Sequence, residues 1–231
     1  MSSSPLLWFA PHTCARVTLT ALEEIGEPFE TRLIAFMAGE HRQPEFLSLN
    51  PSGKVPALET ADGVIVQNGA VLSYLADTHP HANLLPRPGD ALGRARILAE
   101  LFRCSSDLHP LVTRFVMAPM ISTSAEDSPR VRAKAAEGLA LQLAPLEKRL
   151  DVQPWMLGHD WSIIDAYLAW IWFRITGVGF DHSDYPGLQR HYAKACERPS
   201  ALAALRREEK AQDELKARGL FFQPRVPGKT E

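Results

Sequence analysis

A chain of 231 residues with 45% hydrophobic content can bury a substantial core, and its length suits one large domain or two smaller ones. A formal net charge of -2 gives no long-range attraction for nucleic acid or an anionic membrane, and the aromatics are not interleaved with basic clusters, which leaves small molecules and proteins as expected partners. Three cysteines, Cys14, Cys104 and Cys196, lie far apart without CxxC spacing, which argues against a zinc site or disulfide framework and for a reducing compartment.

The first residues carry no basic run, LLWFA is too short for a signal-peptide core, and no later apolar run is long enough to span a bilayer; a cytoplasmic protein is expected. His79 and His81 sit in a proline-rich stretch with no cysteine or carboxylate at ligand spacing, so they read as loop residues and no metal is expected.

In chain order, Pro5 to Phe9 is a short apolar strand, broken by Pro11 and His12. Cys14 then opens a helix whose apolar residues Val17, Leu19, Leu22 and Ile25 recur at roughly helical spacing until Gly26. At a helix N-terminus the backbone N–H groups and the dipole favour a thiolate below the usual cysteine value of about 8.5. Position alone leaves two readings open: an activated thiol, or a small buried residue with inert sulfur.

Phe29 to Ile34 reads as a second strand, making a strand, helix, strand unit with parallel strands. Gly39 to Asn50 is largely polar, with a short helix around Glu45 to Leu49. Val55 to Glu59 and Val64 to Val66 flank Asp62-Gly63 and form an antiparallel hairpin. Asn68 is the expected N-cap of the amphipathic helix that follows. A linker runs from His79 to Asp90, rich in proline.

Everything beyond reads as helical: Ala91 to about Met120, Pro129 to Leu150, Ser162 to Thr176, Pro186 to Glu197, and Ser200 to about Arg218, before a polar tail that is expected to fray. Pro110 deletes one hydrogen bond and should kink the first of these helices around Ser106. Ser162 and Asp165 form an acidic variant of the capping box at the start of a helix so apolar that it must be central to the core.

This order of elements, with the segments NPSGKVPALE (Asn50 to Glu59) and QNGAVLSYLAD (Gln67 to Asp77), resembles the cytosolic glutathione transferases. LWFAPHTCARVTLTAL is similar to the bacterial beta class, which carries a cysteine where other classes have tyrosine or serine, and SSDLHPLVTRFV resembles the beta-class helix whose histidine faces the glutathione sulfur. The resemblance implies an α/β thioredoxin-like glutathione-binding domain over 1–79, a linker at 80–90, and an all-α domain over 91–231 forming the acceptor-substrate pocket. It implies Cys14 and His109 as catalytic residues. Glutathione would be the co-substrate, with no metal, and would be held by Lys54, Val55, Pro56 (through a cis Val-Pro bond), Gln67 and Asn68. An acceptor pocket would include Phe9, Pro11, His12, Pro110, Arg114 and Phe115. The chain would act in detoxification as a homodimer, transferring glutathione to a small hydrophobic electrophile.

Two alternatives accompany that reading: a thiol transferase, disulfide reductase or dehalogenase with Cys14 as nucleophile, and a non-catalytic binding protein of the same fold. Ala15, Pro110 and Gln67 motivate the second, because they stand where the beta class usually has serine, lysine and glutamate.

Overall fold

The computed structural model describes residues 4–222; the polar tail at 223–231 lies outside them. Two compact units divide the chain, one running to Leu85 and taking in Glu197–Phe222, the other spanning Pro86–Cys196.

The first unit is built on a four-stranded sheet of β1 (Leu6–Phe9), β2 (Glu30–Leu33), β3 (Ala57–Thr60) and β4 (Gly63–Val66), in the order β2-β1-β3-β4. β1 runs parallel to β2 across the crossover helix α1 (Ala15–Ile25), and antiparallel to β3. Gly26, at φ 77, ends α1 in the left-handed conformation that glycine adopts without a steric penalty, its N–H bonded to the Leu22 carbonyl. The short α2 (Pro44–Leu49) precedes β3, and α3 (Asn68–Thr78) follows β4. Tyr74 of α3 donates its hydroxyl to Asp62 at 2.6 Å, tying the hairpin turn to that helix.

Among the described residues seven further α-helices follow: α4 (Ala91–Phe102), α5 (His109–Val116), α6 (Ala118–Ile121), α7 (Ser128–Val152), α8 (Ile163–Thr176), α9 (Pro186–Cys196) and α10 (Pro199–Ala217). Helical spacing groups α10 with the others, but its packing assigns it to the first unit. Ala204, Glu208, Ala211 and Leu215 form one buried stripe, and Arg207 and Arg198 pair with Glu23 and Glu24 of α1.

The single helix expected over 91–120 is divided. Between α4 and α5 the backbone widens into a π turn at Arg103–Leu108, where the His109 N–H reaches back five residues to the Cys104 carbonyl. Pro110 explains it: proline has no N–H for the carbonyl of Ser106, and its ring collides with that carbonyl in an α-helix. The expected kink takes this form. Arg132 of α7 donates to the carbonyls of Phe115 and Val178, satisfying acceptors at the end of α5 and just past α8.

α8 is the apolar axis of the second unit, with Ile163, Ile164, Tyr167, Leu168 and Ile171 all at 0% exposure. Its first turn carries the expected capping box. Asp165 is fully buried and accepts from the backbone N–H of Ser162 at 2.8 Å and of Met156 at 2.7 Å, and it lies 2.9 Å from His191 Nε2. No helix among the described residues is long and apolar enough to cross a membrane.

Candidate active site

In the first unit Cys14 immediately precedes α1, with backbone angles already helical (φ -63, ψ -10), and is 7% exposed. Its Sγ lies 3.7 Å from the carbonyl oxygen of Val55, the residue joined to Pro56 by a cis peptide bond. The thiol at the helix start and the backbone two residues before β3 are therefore adjacent.

Asn50, 5% exposed, organises the turn leading to that bond: its Nδ2 donates to the Lys54 carbonyl at 2.6 Å, and its Oδ1 accepts from the Ser52 N–H at 3.1 Å. Gly53 belongs here because its φ is +64 and a Cβ would come within 2.9 Å of the His41 carbonyl oxygen. Val55 and Pro56 are buried, while the Lys54 side chain is exposed.

The cap of α3 differs from expectation. Gln67, exposed and at φ 71, occupies the N-cap, and Asn68 is the first helical residue, 5% exposed. Asn68 Nδ2 donates to the Cys14 carbonyl at 3.1 Å, and its Oδ1 accepts from the Thr18 hydroxyl at 2.7 Å. A buried amide must satisfy both ends, so this side chain is committed to holding the start of α1. What Asn68 offers a ligand is its place in the first turn of α3, where N–H groups favour an anion.

The turn before Cys14 is clamped by residues that sequence reading missed. His12 sits at φ 63, a left-handed conformation uncommon outside glycine. Its N–H donates to Glu208 Oε1 at 3.2 Å, and its ring meets Phe221 edge-on at 5.8 Å. Arg16 donates twice to Glu208 Oε2, at 2.9 and 2.5 Å, and Glu208 is fully buried. The available signal was a glutamate inside the otherwise apolar stripe of α10, since a carboxylate is buried only when paired. Pro11 and His12 are half-buried, and Phe9, at 3% exposure, is a core residue.

In the second unit His109 opens α5 and is half-buried. Its Nδ1 lies 3.0 Å from the Tyr167 hydroxyl, and its ring packs edge-on against Trp170 at 4.7 Å. Pro110 is half-buried and Arg114 exposed. Phe115, assigned to the pocket from sequence, is 3% exposed, closed between the Phe180 ring at 5.8 Å and the Arg132 guanidinium at 3.8 Å, so it belongs to the core of this unit. Cys104 is fully buried; burial foremost, then the charges of Asp165 and Glu100, push its thiol well above the usual range and keep it protonated.

Residues 6–77 match the family model "Glutathione S-transferase, N-terminal domain", and residues 108–199 match "Glutathione S-transferase, C-terminal domain". A maleylacetoacetate isomerase of Pseudomonas aeruginosa is 31% identical over 153 residues, covering 66% of this chain and 71% of the relative. The structure of a sphingomonad glutathione S-transferase complexed with glutathione superposes with a TM-score of 0.77 at 34% identity, covering 88% of this chain and 98% of that one. The beta-class glutathione S-transferase of Sphingomonas chungbukensis superposes at 0.76 with 32% identity, over 88% and 98% of the two chains. A thiol at a helix start beside a cis-proline strand edge, a second unit built on a capped apolar helix, and matches across both units lead to one assignment: this chain belongs to the glutathione S-transferase family.

Proposed function

We propose that the chain binds glutathione in its first unit and activates the glutathione thiol for attack on a small hydrophobic electrophile. The observation that carries this is the 3.7 Å approach of the Cys14 sulfur to the Val55 carbonyl, a thiolate-stabilising helix end beside the backbone that leads into β3. In this reading Val55 N–H and C=O pair with the cysteinyl part of glutathione, aided by the Val55–Pro56 turn. The γ-glutamyl carboxylate takes the N-terminus of α3 at Asn68, Gln67 receives the ammonium, and Lys54 attracts the glycine carboxylate. Lowering the bound thiol's pKa by two units requires about 2.7 kcal/mol of differential stabilisation. Helix-end N–H donors near Cys14 are assigned to supply it, with His109 as the second catalytic residue. Pro11, His12, Pro110 and Arg114 are assigned to the electrophile; the chain works as a cytoplasmic homodimer.

The sphingomonad relative was solved with glutathione, which supports the ligand, and the Pseudomonas relative is an isomerase, which bears on the reaction. Thiolate addition to an activated double bond ends in a conjugate if the resulting carbanion takes a proton from solvent, and in isomerisation if the bond rotates and the thiolate departs. Both begin with the same nucleophile.

A second reading has Cys14 itself as nucleophile. Its thiolate attacks a glutathionylated substrate at the glutathione sulfur, the substrate thiolate leaves, and a second glutathione thiolate attacks the Cys14 mixed disulfide to release glutathione disulfide. Cys104, buried and held protonated, is unsuited to resolve that disulfide, which favours glutathione in the role.

The test is an ultraviolet assay with a chloronitroarene and an activated alkene, each with and without glutathione. The expected result is consumption well above the uncatalysed rate only when glutathione is present; a rate equal to the background on both would contradict the proposal.

A further inference from the structure

Within the first unit, α10 reaches the turn that carries Cys14 by two kinds of contact. Glu208, fully buried, accepts from the N–H of His12, two residues before Cys14, and from the guanidinium of Arg16, two residues after it. About three turns further along, the contacts lie at the surface. Arg218 donates to Glu40 Oε1 at 2.7 Å, the two side chains being 38% and 33% exposed, and the Phe221 ring stands edge-on to that of His12 at 5.8 Å. Gly219 joins these two groups: at φ 67 it turns the chain out of the helix, its N–H bonded to the Lys216 carbonyl at 3.0 Å and that of Leu220 to the Leu215 carbonyl at 2.8 Å. A Cβ at Gly219 would meet nothing within 4 Å, so the joint is held by backbone geometry and not by packing. The buried carboxylate is an anchor, whereas an exposed ion pair and one ring contact are weak, so 220–222 can swing away while α10 stays in place.

We propose that Phe221 is a specificity-determining residue: the strap at 220–222, closed on His12, limits the size of molecule that reaches the Cys14 sulfur. Cys14 is 7% exposed, which leaves room for a narrow reagent and not for a wide one. A wide molecule waits until the strap turns away at Gly219, a step that breaks the Phe221–His12 contact and the Arg218–Glu40 pair and spares the Glu208 anchor. Its rate therefore follows the fraction of chains with the strap open, while that of a narrow molecule does not. What this limit means for turnover rests on the proposed role of Cys14; the limit itself does not.

The experiment alkylates the full chain with iodoacetamide and with a fluorescein-sized iodoacetamide, which share one reacting group and differ in width, and reads the rate at Cys14 by peptide mass spectrometry. Phe221→Ala should speed the wide reagent about tenfold, the size of one lost ring contact, and the narrow one by less than about twofold. Arg218→Gln should speed the wide reagent about threefold, as an exposed ion pair allows. Phe222→Ala, one residue on and 44% exposed in the wild type, should change neither rate. Cys196, half-buried in the second unit, is the internal reference, and its ratio of the two rates should stay constant in every variant. An unchanged ratio at Cys14 in Phe221→Ala, equal acceleration of both reagents, the same gain in Phe222→Ala, or a parallel shift at Cys196 would each overturn the inference. With glutathione present, Phe221→Ala should also raise disulfide exchange with a glutathionylated protein relative to a small glutathionylated thiol. Absence of exchange in the wild type would count against Cys14 as nucleophile, while alkylation, which needs no glutathione, still decides whether Phe221 sets the limit.

Discussion

A Cys14→Ala variant should retain glutathione conjugation within about tenfold of the wild-type kcat and lose mixed-disulfide exchange by at least about a thousandfold. The asymmetry follows from what the sulfur does in each reaction. In conjugation the nucleophile is the sulfur of glutathione; Cys14 contributes one weak hydrogen-bonding partner beside the Val55 carbonyl at the start of α1, and the helix-end N–H groups remain. One such contact is worth about 1 kcal/mol. In disulfide exchange the Cys14 sulfur forms the bond, and Cys104, fully buried and held protonated, is unsuited to take its place. Parallel assays of the two reactions on one preparation check this. Retained disulfide exchange would remove Cys14 as nucleophile; loss of both reactions in a folded variant would make the thiol indispensable to conjugation as well.

Asp165→Ala should lower stability by about 3–5 kcal/mol, as expected when one partner of a buried charged network is removed. Asp165 accepts from the N–H of Ser162 at the start of α8, from the N–H of Met156, and from the Ser162 hydroxyl, and it faces Nε2 of the buried His191. His191 Nδ1 is already buried without a hydrogen-bond partner, so the substitution leaves both ring nitrogens unsatisfied. α8 also carries Tyr167 and Trp170, which contact His109, so loosening its first turn reaches that residue. Urea denaturation followed by tryptophan fluorescence checks the value; a loss under about 1 kcal/mol would mean the capping box is decorative.

Local patterns made much of this molecule legible. The strands, α1, the hairpin and the capping box at Ser162 each rest on periodicity or turn chemistry within a dozen residues, and they stand within two residues of where the sequence puts them, β3 starting at Ala57 and the hairpin turning at Ala61-Asp62. Tertiary competition decided the rest. Asn68 has the short amide of an ideal N-cap, but a buried position between Thr18 and the Cys14 carbonyl satisfies that amide and shifts the cap to Gln67. Glu208 is separated from His12 by 196 residues, so no local window joins them. A motif does not reveal which face of a strand or helix looks inward; Phe9 and Phe115, assigned from theirs to a pocket, are both buried. Pro110 announced a distortion without specifying that it would be a π turn delivering His109.

The central claim is that glutathione is the molecule this fold holds. Titration calorimetry of the full chain with reduced glutathione tests it most directly, with the dipeptide cysteinylglycine as comparison. One glutathione should bind per chain at or below millimolar concentration, and the dipeptide, which lacks the γ-glutamyl carboxylate assigned to the α3 N-terminus, should bind far more weakly. No binding heat at millimolar glutathione, or equal affinity for the two peptides, would contradict the account.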